Sequence, residues 1–181
     1  MRKLVWLLIV LAALWGAWWA AATTQMQSTL TRLLDTRRAA GWEVTLKEID
    51  KAGFPLSLQN RLSGFAVADP ARGLAFEAPQ LDLSAPVWWP GDLSARAPVA
   101  AADLPAGALP LTLKMRDLRA DLELHPGTSL QLEAMELRST HLEVDGPDGL
   151  LLKAEEPRMR IAQSGNAARD YDIALLPGGI T

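Results

Sequence analysis

Two periodicities divide the chain. From Leu4 to Ala22 it is apolar and free of charge, directly after Arg2 and Lys3. At about 1.5 Å per helical residue this run reaches roughly 28 Å, close to a hydrocarbon core of about 30 Å. Thr23 to Ala40 predicts more helix, because Met26, Leu30, Leu33 and Leu34 fall on one stripe at helical spacing and Gly41 stops it. From Trp42 onward the period is two. Trp42, Val44 and Leu46 alternate with Glu43, Thr45 and Lys47, Leu56 and Leu58 with Ser57 and Gln59, and Leu81 and Leu83 sit between Gln80, Asp82 and Ser84. The longest alternation runs from Asp117 to His125, with Leu118, Ala120, Leu122 and Leu124 on one side. Leu130, Leu132 and Ala134, then Leu142 with Val144, then Met159 with Ile161, continue it. Strands with one wet and one dry face predict an antiparallel sheet.

Gly53-Phe54-Pro55, Asp69 to Gly73, Pro90-Gly91-Asp92, Pro126-Gly127 and Asp145 to Gly149 supply the chain reversals. The apolar parity slips between Met115 and Leu118 and again between Ala134 and Leu137, and each slip requires a bulge or a hidden turn. Pro86, Pro90, Pro98, Pro105 and Pro110 crowd one stretch. Each proline in a central strand removes a ladder donor, so 86–110 is expected to be an irregular excursion between two groups of strands. The expected fold is mainly β: a transmembrane helix (1–22), a short amphipathic stalk helix (23–41), then a curved antiparallel sheet (42–181). That sheet is a meander, folded over on itself or left as a groove.

A cleavable signal peptide shares the basic start and the Ala20-Ala21-Ala22 triplet. Its apolar centre is shorter, about 7–15 residues, and here bulky Trp18 and Trp19 sit beside the would-be cut. An uncleaved anchor is therefore expected, with Leu4, Trp6, Leu8, Trp15, Trp18 and Trp19 in the bilayer and the last three near headgroup depth. Arg2 and Lys3 oppose Arg32, Arg37 and Arg38 across it. A three-residue tail holds no domain, so the domain follows the helix. The expectation is a single-pass protein of the bacterial inner membrane with its domain in the periplasm. The stalk either packs its stripe on that domain or lies on the membrane.

Composition narrows the chemistry. A net charge of -3 over 181 residues argues against a nucleic-acid partner. With no cysteine, a thiolate metal site, a cysteine nucleophile and a disulfide framework are all excluded. No nucleophile elbow, phosphate loop, zinc motif or calcium loop occurs. His125 reads as an exposed strand end. His141, Glu143 and Asp145 share one strand face within reach of one metal ion, but the solvated face opposite Leu142 and Val144 accounts for them without one. We expect no enzyme, no catalytic residue, no metal and no cofactor. Trp88 and Trp89, beside Pro90, are candidate contacts to membrane or lipid, with core packing of at least one ring as the alternative.

The run Gly53-Phe54-Pro55-Leu56-Ser57-Leu58 follows a span, a short helix and a strand, and precedes Trp88-Trp89-Pro90. This arrangement, with its G-[FY]-P-x-x-L motif, resembles DUF2125, an uncharacterised alphaproteobacterial family of membrane-anchored envelope proteins. The resemblance covers most of the chain and its motifs are structural. It implies an exported protein similar in style to the AsmA-like type, whose sheets curl into an apolar trough for lipid, and no catalytic residues carry over. Members of that family run past this length, so a truncated reading frame or a short variant with an unpaired terminal edge is expected.

A Leu-rich face needs a cover: a second layer of the same sheet, the stalk helix, or an acyl chain. The expected function is to hold or pass lipid in an apolar β-groove. The alternative is a structural or assembly module of the envelope that binds partner proteins through its sheet edges and takes no ligand. An exported hydrolase requires a polar pocket that gathers His141 with acids.

Overall fold

The computed structural model describes residues 2–88, 91–107, 109–124, 132–163 and 171–176. The apolar run and the amphipathic stretch form one unbroken helix, α1 (Arg2–Ala39). No proline interrupts this stretch, so the stalk simply continues the span. The helix ends where Gly41 takes φ +87°, and the Arg37 carbonyl accepts the N–H of Trp42 at 3.1 Å. A left-handed glycine after the last turn is what lets these end carbonyls find donors. The Arg37 guanidinium lies 5.1 Å from the centre of the Trp42 ring.

Beyond it the described chain is all strand and turn: β1 (Glu43–Thr45), β2 (Glu48–Ala52), β3 (Ser57–Asp69), β4 (Leu74–Pro86), β5 (Asp92–Ala106), β6 (Leu109–Leu124), β7 (Leu132–Arg138), β8 (His141–Gly146), β9 (Gly149–Glu155), β10 (Arg158–Gln163) and β11 (Tyr171–Leu176). They form one open antiparallel sheet that does not close into a barrel. β1 and β2 lie end to end along β3. β7 and β8 do the same along β6, and β10 and β9 along β7 and β8. The result is an up-and-down meander whose long runs are each broken near the middle.

The breaks line up across the sheet. Lys47 faces Gly64, Gly64 faces Pro79, Pro98 faces Asp117, Asp117 faces Thr140, and Thr140 faces Glu156 in continuous register. Gly64, Asp117 and Glu156 have positive φ, at 60°, 48° and 49°. One residue in the left-handed region inverts the alternation locally, so the apolar set changes parity at each break. On β3 it passes from Leu58 and Leu62 to Phe65 and Val67, and on β6 from Leu118, Ala120 and Leu122 to Leu111, Leu113 and Met115. The two sets stay on one side of the sheet. Buried Ala97 and half-buried Leu118, from one half, pack with buried Ala78 and Ala100 and with half-buried Phe76 and Met115, from the other.

The slip expected between Met115 and Leu118 is therefore Asp117. The second falls slightly earlier than expected, at the register shift between Glu123 and Leu124, opposite Leu132 to Ala134. The larger correction concerns 86–110. Asp92–Ala106 is a full strand in the middle of the sheet, paired with β4 and β6. Its prolines are tolerated because Pro98 sits where ladder pairing already lapses and Pro105 lies at the strand end, facing Pro110 across the turn. Two of its alanines are core: Ala97 and Ala100 are each 1 % exposed. Leu56 also moves, into the turn before β3. His125, Pro126-Gly127, Leu130 and Trp89-Pro90 lie outside the described residues.

Candidate functional site

The dry side of the sheet is the main candidate. Its row nearest the Gly53–Leu56 turn runs Leu58 and Leu62 on β3, Leu81 and Leu83 on β4, Leu93 and Ala95 on β5, Ala120 and Leu122 on β6, Met135 and Leu137 on β7, and Met159 and Ile161 on β10. The registers that join neighbouring strands place these residues side by side. The opposite side carries Arg61, Asp82, Arg96, Asp121, Glu136 and Arg160. Ion pairs tie several of these, such as Arg61 Nε to Asp82 Oδ1 at 2.8 Å, and that carboxylate raises the already high pKa of Arg61.

Cover over the dry side is uneven. α1 packs on β1 and β3, and there Leu58, Asn60 and Leu62 are 3 %, 1 % and 1 % exposed. Burying a leucine that completely stabilises by about 1.5–3 kcal/mol. Farther along, Leu93, Ala95, Leu118, Ala120, Leu122, Met135, Leu137, Met159 and Ile161 are only half-buried. All strands belong to the single sheet, and no second layer lies over them among the described residues. Among the described residues the helix is the cover over β3, and the rows from Leu93 to Ile161 stay half-exposed.

α1 is pinned to the sheet from its middle to its C-terminal end. Trp15 Nε1 donates to the Pro55 carbonyl at 3.0 Å and Trp19 Nε1 to the Ser57 carbonyl at 2.9 Å. The Trp19 ring meets Phe54 edge-on at 5.4 Å. Lys51 Nζ reaches Thr24 Oγ1 at 3.3 Å, and Arg38 Nη2 donates to the Val44 carbonyl at 3.2 Å. Thr23, fully buried, donates its hydroxyl to the Trp19 carbonyl at 2.7 Å. Leu34 of the expected stripe is buried, whereas Leu33 is 53 % exposed.

Of the expected anchor residues, Trp6, Leu8, Trp15 and Trp18 are exposed and Trp19 is half-buried against the sheet. The helix is long and apolar enough to cross a membrane. The Leu4 side chain lies outside the described residues. Trp88 is 69 % exposed and shares a shallow hollow with Leu56, Ser57 and Pro86. Phe54 and Leu56, at 60 % and 61 % exposed, escaped the sequence reading. Their signal was two large apolar residues on either side of Pro55 within a turn.

His141 is engaged by acids from two strands. Its Nδ1 lies 2.7 Å from Glu155 Oε1 and its Nε2 3.3 Å from Glu143 Oε1. Lys153 Nζ also reaches Glu143 at 2.8 Å and holds that carboxyl below the usual carboxylate range, with His141 adding to the effect. Asp145 turns instead to Lys114, at 2.8 Å. His141, Glu143 and Asp145 thus do not converge, and no metal-competent group of three appears among the described residues. Geometry of this kind makes a charged, solvated face.

No curated protein and no solved structure matches the chain. A sequence profile does, over residues 19–180, which takes in Trp19 but not Trp15, the Gly53-Phe54-Pro55 turn and the sheet, and the chain therefore belongs to the family described as an uncharacterized protein conserved in bacteria, DUF2125.

Proposed function

We propose that this protein is a single-pass protein of the bacterial inner membrane whose periplasmic sheet holds or passes lipid on its open apolar face, without catalytic chemistry of its own. The observation that carries the reading is the half-exposed row from Leu93 across Leu122 and Leu137 to Ile161. Water leaves such a row costly, at about 25 cal/mol per Å² of apolar surface, and an acyl chain covers it without asking for a single hydrogen bond. The flanks favour this orientation: Arg2 and Lys3 border the apolar run directly, while Arg32 stands roughly 15 Å beyond Ala22 and Arg37 and Arg38 roughly 22–24 Å, the last two occupied by Trp42, Asp35 and Val44.

Photoactivatable phospholipid fed to cells making the full chain tests the reading. Crosslinks are expected on peptides that carry Leu93 to Ala97 and Leu118 to Leu122, and Leu122→Asp is expected to abolish them while Glu123→Gln leaves them intact. Crosslinks confined to the anchor run would overturn it. A second reading, an assembly module of the envelope, draws on Leu104, Leu109, Leu150 and Leu151, exposed by 40–59 % at the end of the sheet far from Phe54. Under that reading a partner protein, and no lipid, is captured through this end.

A further inference from the structure

We propose that the Phe54-Pro55-Leu56 turn is a second membrane contact, a hairpin tip seated in the outer part of the same leaflet that α1 leaves. This inference rests on the reading of α1 as a membrane span and goes beyond it.

Depth is the first ground. The tip is fastened to α1 at Trp15 and Trp19, both inside the apolar run that ends at Ala22. At about 1.5 Å per residue these anchors stand roughly 10 and 5 Å short of the outer end of that run. An element held there shares the helix's depth, and about 5–10 Å is how far interfacial segments reach into the headgroup and acyl boundary.

The second ground is what the tip presents. Phe54 and Leu56 are exposed apolar side chains, and Leu56 shares with exposed Trp88 a hollow that Gln59, Ser84, Asp92 and Ser94 line on the side away from the tip. No charged residue lies between Lys51 and Arg61. A turn bathed in water ordinarily carries the reverse composition.

The third is that four carbonyls of the tip are paired, those of Gly53, Pro55, Leu56 and Ser57, where lipid penalises an unpaired group and water does not. Pro55 has no N–H to leave unpaired. Its carbonyl accepts from Trp15, and the Ser57 carbonyl accepts from Trp19. The Gly53 carbonyl takes Ser57 N at 2.9 Å, and the Leu56 carbonyl takes Val87 N at 3.3 Å. Gly53 permits the closure. Its φ is +93°, and a Cβ there would come within 2.6 Å of the Ser57 carbonyl oxygen.

The chain lacks cysteine, so single-cysteine variants of the full protein report depth cleanly. Phe54→Cys, Leu56→Cys, Leu8→Cys and Asp148→Cys, each labelled with bimane, are reconstituted into phosphatidylethanolamine and phosphatidylglycerol vesicles that contain spin-labelled lipid. Labels at 54 and 56 are expected to be quenched most by lipid labelled near the headgroup, the label at 8 by lipid labelled deep in the chain, and the label at 148 by neither. If 54 and 56 behave like 148 while 8 is quenched, the tip proposal fails and the span stands. If 8 is unquenched as well, both fail. Having two tip positions guards against a local effect of losing the Phe54 contact to Trp19.

Discussion

Asn60 lies in the most protected part of the molecule, between Leu58 and Leu62 and 1 % exposed, yet among the described residues neither its Oδ1 nor its Nδ2 has a partner. A buried amide without hydrogen bonds costs about 1–3 kcal/mol. Its neighbour across the ladder is Leu83, so an apolar side chain of similar size meets an apolar wall. Asn60→Leu is accordingly expected to stabilise the detergent-solubilised protein by about 1–3 kcal/mol in chemical denaturation. A loss of stability with the fold retained would mean that the amide has a partner under the helix, and would mark the site as polar. Asp69 shows the opposite economy. It is 4 % exposed, but its carboxylate accepts Ala71 N at 3.1 Å and Arg72 Nη1 at 3.0 Å, which fixes the turn into β4.

Among elements, the line of breaks across the sheet is the feature that sets the apolar face. Without a change of parity at Gly64, Pro98, Asp117 and Glu156, each long strand would turn its apolar residues to opposite sides in its two halves, and no continuous dry face would exist. Asp117 tests this most directly, because it holds φ 48° without being glycine, helped by Thr140 Oγ1, which donates to its Oδ2 at 3.1 Å. A β-branched side chain pays for the left-handed conformation by roughly 1–2 kcal/mol. Asp117→Val is expected to lower stability by about that much relative to Asp117→Gly, measured by the same denaturation. Equal stabilities would show that φ here is not forced. Much of this layer was legible in sequence. The alternation of Leu118, Ala120 and Leu122 announces a strand, and the slip after Met115 announces its break. Asp92–Ala106 was not legible, because alanine carries little periodic contrast and proline density speaks for loop. Only register reveals that Pro98 faces a break already present in β6. The open face was legible as a need for cover, but which cover applies depends on where α1 lands, and no local pattern encodes that.

On the scale of the whole molecule, helix and sheet are matched in length. From Trp15 to Ala39 the helix rises about 36 Å, and from Glu43 to Gly53 the returning strand run extends about 33 Å. The chain thus leaves the apolar run, climbs beside β3, reverses at Gly41 and comes back to the level from which it started. Both ends of that loop are fastened: Arg38 to Val44 at the top, and Trp15 and Trp19 to Pro55 and Ser57 at the bottom. Cleavage at the Ala20-Ala21-Ala22 triplet would remove both indoles, each worth about 0.5–1.5 kcal/mol as a hydrogen bond, together with the apolar area of their rings. The mature sheet would then carry an unfastened tip. The protein recovered from membranes is therefore expected to resist carbonate extraction and to yield the N-terminal peptide containing Trp15, Trp18 and Trp19 on mass mapping. Trp15→Phe with Trp19→Phe keeps most of the apolar surface and removes only the two N–H donors, so it should remain membrane-bound while losing about 1–3 kcal/mol of stability. A carbonate-soluble form beginning at or just after Ala22, with the sheet folded and stable, would show that the lower pins are dispensable and that α1 serves only as an address.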